Sequence, residues 1–252
     1  MRKNKENRDF IEIYGFHAVE AAIKNNQRIH KKLILSENLR EKSKNLRKFV
    51  KDITFFPNDK FNKIYGYEKN HQGIVLKTSK LIQPEIKEVI LKSKEKKIEI
   101  IIMLDQVTDP QNIGSIMRSC SLLNCNSIIV SKNHSPDITA SMTKAASGAI
   151  EIVNYVKVSN LSRTIQQLKK NNFWVVGFAN NTKVSISDIK LPKKCLLIFG
   201  AEDKGLRKLT EKECDETVKI PFNKNYKYGI ESLNVSNACT IALYEFFKYN
   251  VM

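Results

Sequence analysis

Apolar and polar positions divide this chain into two stretches of different texture. Over residues 11–78, short apolar runs alternate with amphipathic ones. IEIYG reads as a strand, and FHAVEAAIKNN as a helix with Val19, Ala22 and Ile23 on one face. KKLILS predicts a second strand. NLREKSKNLRKFVKD predicts a basic helix with Leu39, Leu46 and Val50 as its apolar stripe, and ITFFP and GIVLKT predict two more strands. From residue 98 the runs are longer and more purely apolar. IEIIIML is typical of a strand in a sheet covered on both faces. Helix over 112–124, strand SIIVSK, helix over 139–149, strand NYVKV and helix SRTIQQLKKNN follow. Then come strands FWVVGFA, CLLIFG and TVKIPF and a final helix over 234–249. This alternation predicts a parallel α/β sheet domain of about 150 residues. The predicted organisation is a basic N-terminal arm (1–10), a small α/β domain (11–78), a linker (79–97) and a large α/β domain (98–252). The linker holds Pro84 and the charge run LKSKEKK and has room for a short helix; it reads as a hinge or tether.

Composition narrows the partner. The chain has 252 residues, 42% hydrophobic, enough for real cores, and a formal net charge of +17. Residues 1–100 hold 24 Lys and Arg against 13 Asp and Glu; residues 101–252 hold 19 against 13. Such an excess favours a polyanion, nucleic acid before anionic membrane, and places the stronger grip in the N-terminal part. Abundant Lys, Asn and Ile also fit an AT-rich genome, which accounts for part of the charge. The opening MRKNKENRDF is no secretory signal, and no apolar run is long enough to span a membrane. The five cysteines (Cys120, Cys125, Cys195, Cys214, Cys239) are odd in number and form no C-x-x-C, so buried thiols in a reducing cytoplasm are expected, and no metal site. The four histidines are scattered.

Candidate chemistry gathers in four segments: LDQVTDPQNIGSIMRS (104–119), FGAEDKGL (199–206), Ile220-Pro221 and SLNVS (232–236). Each falls at the end of a predicted strand or the start of a helix, where open α/β sheets bind ligands. Gly200 permits close backbone approach, and Gly205 eases the exit from the same turn. Pro221 stiffens its loop. Each polar residue also has a plain structural reading. Asn112, Ser232 and Asn234 fit helix caps, Glu202 fits a cap for a helix over 204–209, and Arg118 fits a surface ion pair. A Gly-rich dinucleotide fingerprint and a P-loop are both absent.

Together these residues resemble the three motifs of the SpoU branch of the SPOUT RNA methyltransferases. Asn112, Gly114 and Arg118 match the first, Gly200-Ala201-Glu202 with Gly205 the second, and Ile220-Pro221 with Ser232-Leu233-Asn234-Val235-Ser236 the third. YGFHAVEAAI and HQGIVLK resemble the small RNA-binding domain many members carry ahead of the catalytic one. The layout is most similar to enzymes that methylate a guanosine ribose of large-subunit ribosomal RNA. The resemblance implies an S-adenosylmethionine-dependent RNA ribose 2′-O-methyltransferase, a cytoplasmic homodimer with a trefoil knot in its C-terminal part. It implies cofactor contacts at Gly200, Ala201, Gly205, Ile220, Pro221 and Leu233, with Ala179 a weaker candidate. It implies catalytic roles for Arg118, Asn112, Glu202, Asn234 and Ser232. An arginine is a poor base, so Arg118 is expected to stabilise a developing alkoxide, with Glu202 orienting Arg118 or Asn112. The loop between Pro221 and Ser232 is a few residues longer than usual in the family. Lys224, Tyr226 and Lys227 there are candidate RNA contacts, or belong to a tolerated surface insertion. Two other functions stay open: methylation of transfer RNA, and a non-catalytic RNA-binding assembly factor.

Overall fold

The computed structural model describes residues 9–66, 71–223 and 232–252. Most of the basic arm, and Lys224, Tyr226 and Lys227, lie outside the described residues. The first sheet comes from β1 (Phe10–Tyr14), α1 (Phe16–Lys24), β2 (His30–Ser36), α2 (Lys44–Arg47), β3 (Ile53–Phe56), α3 (Asn58–Tyr65) and β4 (Ile74–Ser79). Its order is β1-β4-β2-β3; β4 runs antiparallel to both neighbours and β3 parallel to β2. As predicted, α1 buries Val19, Ala22 and Ile23, against Leu33, Leu35, Ile74 and Leu76 of the sheet.

Two local expectations fail. The basic helix over 38–52 is a 3-10 turn over Glu37–Leu39 followed by the four-residue α2. The Arg40 carbonyl is taken by the side chains of Ser43 and Arg47 rather than by a helical amide, and Ser43 is fully buried, so side-chain bonds displace the regular ladder. Leu46 and Val50 still reach the core, with Leu39 at its edge. α3 was not expected. It is anchored by fully buried Phe61, whose ring lies against Tyr65 and His71.

The larger body follows as α4 (Ile86–Lys94), β5 (Glu99–Asp105), α5 (Pro110–Leu122), β6 (Cys125–Ser131), α6 (Ala140–Ala146), β7 (Asn154–Val158), α7 (Leu161–Lys169), β8 (Trp174–Phe178), β9 (Lys194–Gly200), α8 (Lys208–Lys212), β10 (Glu216–Val218) and α9 (Val235–Asn250). Its six strands are all parallel, in the order β10-β8-β9-β5-β6-β7. The apolar run of β5 divides with period two. Ile100, Ile102 and Leu104 face the layer of α5, α6 and α9, while Ile101 and Met103 face that of α4 and α7. β10 stops at Val218, so Ile220 and Pro221 lie beyond the strand rather than in it.

The segment read as a linker carries α4, started by a Glu85–Glu88 capping box and packed on the sheet through Ile86, Val89 and Ile90. A second tie joins the two sheets. Arg28, between α1 and β2, forms a buried pair with Glu151: Nη2 donates to Oε1 at 2.8 Å and Nε to Oε2 at 2.8 Å. Asn25 Nδ2 donates to the same carboxylate at 2.7 Å, and Arg28 Nη1 to the Ser79 carbonyl at 2.6 Å.

Candidate active site

Sheet order brings distant segments together. β10, β8 and β9 are neighbours, so Ala179 after β8, Gly200 ending β9 and Ile220 beyond β10 emerge side by side. With Leu233 before α9 they line a cleft of about 540 Å³, within the usual range for small-ligand sites. Ala201, Glu202, Gly205 and Ser232 also line it; Pro221 does not. Phe178 and Phe199, paired across β8 and β9, stack there at 4.3 Å with ring planes 13° apart.

The loop after β9 is built around its glycines. A Cβ on Gly200 would stand 2.0 Å from the Gly205 carbonyl carbon and 2.4 Å from the Leu206 nitrogen. Gly200 is thus required by the loop's own fold rather than by approach to a ligand. Gly205 holds φ +62° and its amide donates to the Ala201 carbonyl at 2.8 Å. The loop is fastened from β5. The fully buried Asp105 accepts from Arg207 Nε at 2.7 Å, the Arg207 amide at 3.3 Å and Thr210 Oγ1 at 2.6 Å. Sequence reasoning missed this anchor. Its signal was an acid closing an apolar strand, which is costly to bury unless paired.

α5 begins two residues earlier than expected, at Pro110. Asp109 caps it, accepting from the Gln111 and Asn112 amides, with Pro110 at the first helical position. This frees the Asn112 side chain. Its Nδ2 donates to Glu202 Oε1 at 3.3 Å and its Oδ1 accepts from Asn234 Nδ2 at 3.0 Å. Asn234 Nδ2 donates to Glu202 Oε1 at 2.8 Å, and the Val235 amide to the same oxygen at 3.3 Å. Asn234 is also the cap of α9, its Oδ1 accepting from the Ser236 amide at 2.9 Å. Glu202 therefore serves the start of α9. The helix after it begins only at Lys208, so a capping role over 204–209 is ruled out.

One residue from each of three motifs thus meets in a single cluster at the rim of the cleft. Glu202 Oε2 accepts no hydrogen bond among the described residues. Gly114 lets α5 sit against α6; a Cβ there would lie 2.5 Å from the Met142 carbonyl oxygen.

Arg118 is exposed, and its guanidinium has no hydrogen bond or ion pair among the described residues. Neither the surface ion pair nor the orienting contact from Glu202 expected for it is formed; Glu202 reaches Asn112 alone of the two. Arg118 lies six positions after Asn112, which turns it about 120° around the helix from the cluster. It shares an exposed stripe with Gln111, Ser115 and Leu122, while Ser119 faces α9 and bonds Thr240 at 2.7 Å.

Four of the cysteines are buried and all five are free. Burial raises the Cys120 and Cys239 thiols well above their ordinary value and Cys195 and Cys214 to about 12, so these four stay protonated packing groups. Among the described residues no three His, Cys, Asp or Glu stand together as metal ligands, and no helix is long and apolar enough to cross a membrane.

Comparison with known proteins agrees with this geometry. A family described as SpoU rRNA Methylase matches residues 99–244, the span that holds all three motifs. The chain belongs to the SpoU rRNA methylase family. A second family, described as RNA 2′-O ribose methyltransferase substrate binding, matches residues 13–84. A Coxiella burnetii protein named 23S rRNA (guanosine-2′-O-)-methyltransferase RlmB is 35% identical, over 92% of this chain and 93% of its own. A Nitrosomonas europaea protein of the same name is 30% identical, over 94% and 90%. Among solved structures, AviRb of Streptomyces viridochromogenes, a SpoU methyltransferase in complex with AdoMet, superposes with TM-score 0.75 at 21% identity, over 95% of this chain and 89% of that one.

Proposed function

We propose that this SpoU methylase transfers a methyl group from S-adenosylmethionine to the ribose 2′ oxygen of a guanosine in 23S ribosomal RNA. The observation that carries this reading is the joining of Asn112, Glu202 and Asn234 at the rim of the cleft. These residues stand 32 to 122 positions apart. Capping of α9 explains Asn234 and the Val235 amide on Glu202; it explains neither the Asn112 side chain nor the convergence of both asparagines on one oxygen of Glu202.

The cleft fits the cofactor. Its volume suits a nucleoside with a short side chain, the stacked Phe178 and Phe199 offer apolar surface, and the Gly200–Gly205 loop offers backbone donors and acceptors. Gly200, Ala201, Gly205, Ile220 and Leu233 would hold it, with Ala179 at the far wall and Pro221 stiffening the loop behind. When bound it supplies an electrophilic methyl on a sulfonium, so the protein needs chiefly to align the sugar and ease loss of its proton. Arg118, permanently charged and without a partner among the described residues, stabilises the developing alkoxide and holds the adjoining phosphate, and the proton leaves to phosphate or water. Asn112, Asn234 and Ser232 position the ribose, and the open Oε2 of Glu202 takes a hydroxyl or amide of the bound partner.

Arg118 faces away from its own cluster, which supports a homodimer in which it completes the partner's site. Leu122 (72% exposed), Ile241 (38%) and Tyr244 (52%) lie on the same two packed helices and supply the apolar surface such a contact needs. The same reading carries a trefoil knot in the C-terminal part, in keeping with β9 lying between β8 and β5. It makes residues 11–78 an RNA-gripping domain. There Arg40 stands over Phe55 at 4.2 Å and Lys42 over Phe16 at 4.3 Å, a mixture of cation and ring suited to RNA. Lys224, Tyr226 and Lys227 would add grip on the RNA. The free thiols suit the cytoplasm.

The test is transfer of tritiated methyl from S-adenosylmethionine to unmodified transcripts, followed by mapping of ribose methylation. One labelled guanosine in 23S RNA and none in transfer RNA is the expected result. Label confined to transfer RNA, or no label, overturns the proposal.

A further inference from the structure

A second cleft, of about 590 Å³, adjoins the first. Its walls include Gln106 and Thr108 after β5, Asn133, His134 and Ser135 after β6, and Asp203 and Lys204 of the loop after β9. Ala201, Asp203 and Lys204 line both clefts, so one stretch of chain separates them.

Three features show a built site rather than a surface dent. The Ser135 hydroxyl oxygen is buried and has no hydrogen-bond partner among the described residues. Buried hydroxyls are nearly always paired, so one left without a partner in a loop that lines the cleft points to a partner supplied when the cleft is filled. The loop that carries it is held rigid from below. Lys157 Nζ donates to the Ser135 carbonyl at 3.2 Å and to Asp137 at 2.6 Å, and Tyr155 OH donates to the Pro136 carbonyl at 3.0 Å. Across the cleft Gln106, not a glycine, holds a left-handed backbone with φ +65°. Such a conformation is strained for this residue and persists where surrounding structure imposes it, often at ligand sites.

The chemistry of the lining selects the occupant. Neutral amides and hydroxyls dominate, with one carboxylate, one lysine and one imidazole, a mixture of donors and acceptors that suits the edge of a nucleobase better than a phosphate. An RNA base lifted from its stack offers both donors and acceptors along that edge. We infer that this cleft holds the base of the target nucleotide, with Ser135 Oγ and the carboxamides of Asn133 and Gln106 bonding its edge. The sugar then lies by the shared Ala201–Lys204 stretch, next to the methyl donor. The inference rests on the methyltransferase reading above and says where that reaction's base, a guanine, is read.

The test compares wild type and Ser135→Ala on two RNAs. One is the intact transcript; the other carries an abasic ribose at the nucleotide that wild type methylates. The hydroxyl has no partner among the described residues, so its removal leaves the thermal midpoint and S-adenosylmethionine affinity unchanged. On intact RNA, kcat/KM falls by at least about tenfold, the worth of one buried hydrogen bond. On abasic RNA wild type and variant act alike. Equal kcat/KM on intact RNA, or an equal loss on both RNAs, overturns the inference while leaving the methyltransferase reading intact. Absence of transfer by wild type overturns both.

Discussion

Two glutamates each gather a cluster of polar side chains, and they are used in opposite ways. Glu151 is 5% exposed, and both its oxygens are bonded by Arg28, itself 1% exposed, and by Asn25. Nothing further can bind it; it fastens the N-terminal sheet to the larger body. Glu202 is exposed, and its donors are two neutral amides and one backbone N–H, all converging on Oε1. Among the described residues Oε2 accepts no hydrogen bond, in keeping with the contact to a bound partner proposed for it, and Arg118, also without a partner among them, stands on a neighbouring face of the same helix as Asn112. A saturated, buried carboxylate marks structure, whereas a carboxylate held firmly by one oxygen and open at the other marks a site.

The contrast breaks most sharply under truncation. Glu151→Ala leaves the Arg28 guanidinium buried without its partner, and stability falls by about 3–5 kcal/mol in denaturant unfolding. Glu202→Ala removes exposed hydrogen bonds and costs about 1 kcal/mol, yet it abolishes methyl transfer. Equal losses of stability in the two variants would erase the distinction. The smallest effect comes with acid. Burial, the largest cause, lowers the imidazoles of His30 and His71, both in the N-terminal sheet region, below their ordinary 6.5. The folded protein then binds fewer protons than the unfolded chain, so this stability is present above pH 6.5 and declines as pH drops below it. Melting curves across that range should show the decline, with His30→Gln flattening it. An unchanged midpoint in wild type would show that neither histidine is linked to folding.

What was legible in the sequence was local. The apolar runs of β5, β8 and β9, the α1 face and the motif residues at strand exits all report chemistry carried within a few positions. What stayed hidden depends on distant partners. Nothing near Arg28 announces Glu151, 123 residues away. Nothing in CLLIFG says that β9 inserts between β8 and β5, which is what sets Phe199 against Phe178. The basic helix failed because Ser43 and Arg47 side chains took a carbonyl the periodic pattern assigned to the backbone. The role of Glu202 was half legible. Its residue type and place were readable, but its choice of Asn112 over Arg118 depends on which face of α5 meets α9.

The central claim is that Arg118 serves the reacting oxygen and not the fold or the cofactor. Arg118→Ala tests it directly, with calorimetric titration of S-adenosylmethionine and tritium transfer to 23S RNA measured on the same preparation. Cofactor affinity within about twofold of wild type and transfer reduced by at least about a hundredfold, the scale of losing one group that stabilises a developing oxyanion, is the expected result. Turnover near the wild-type rate would contradict the account.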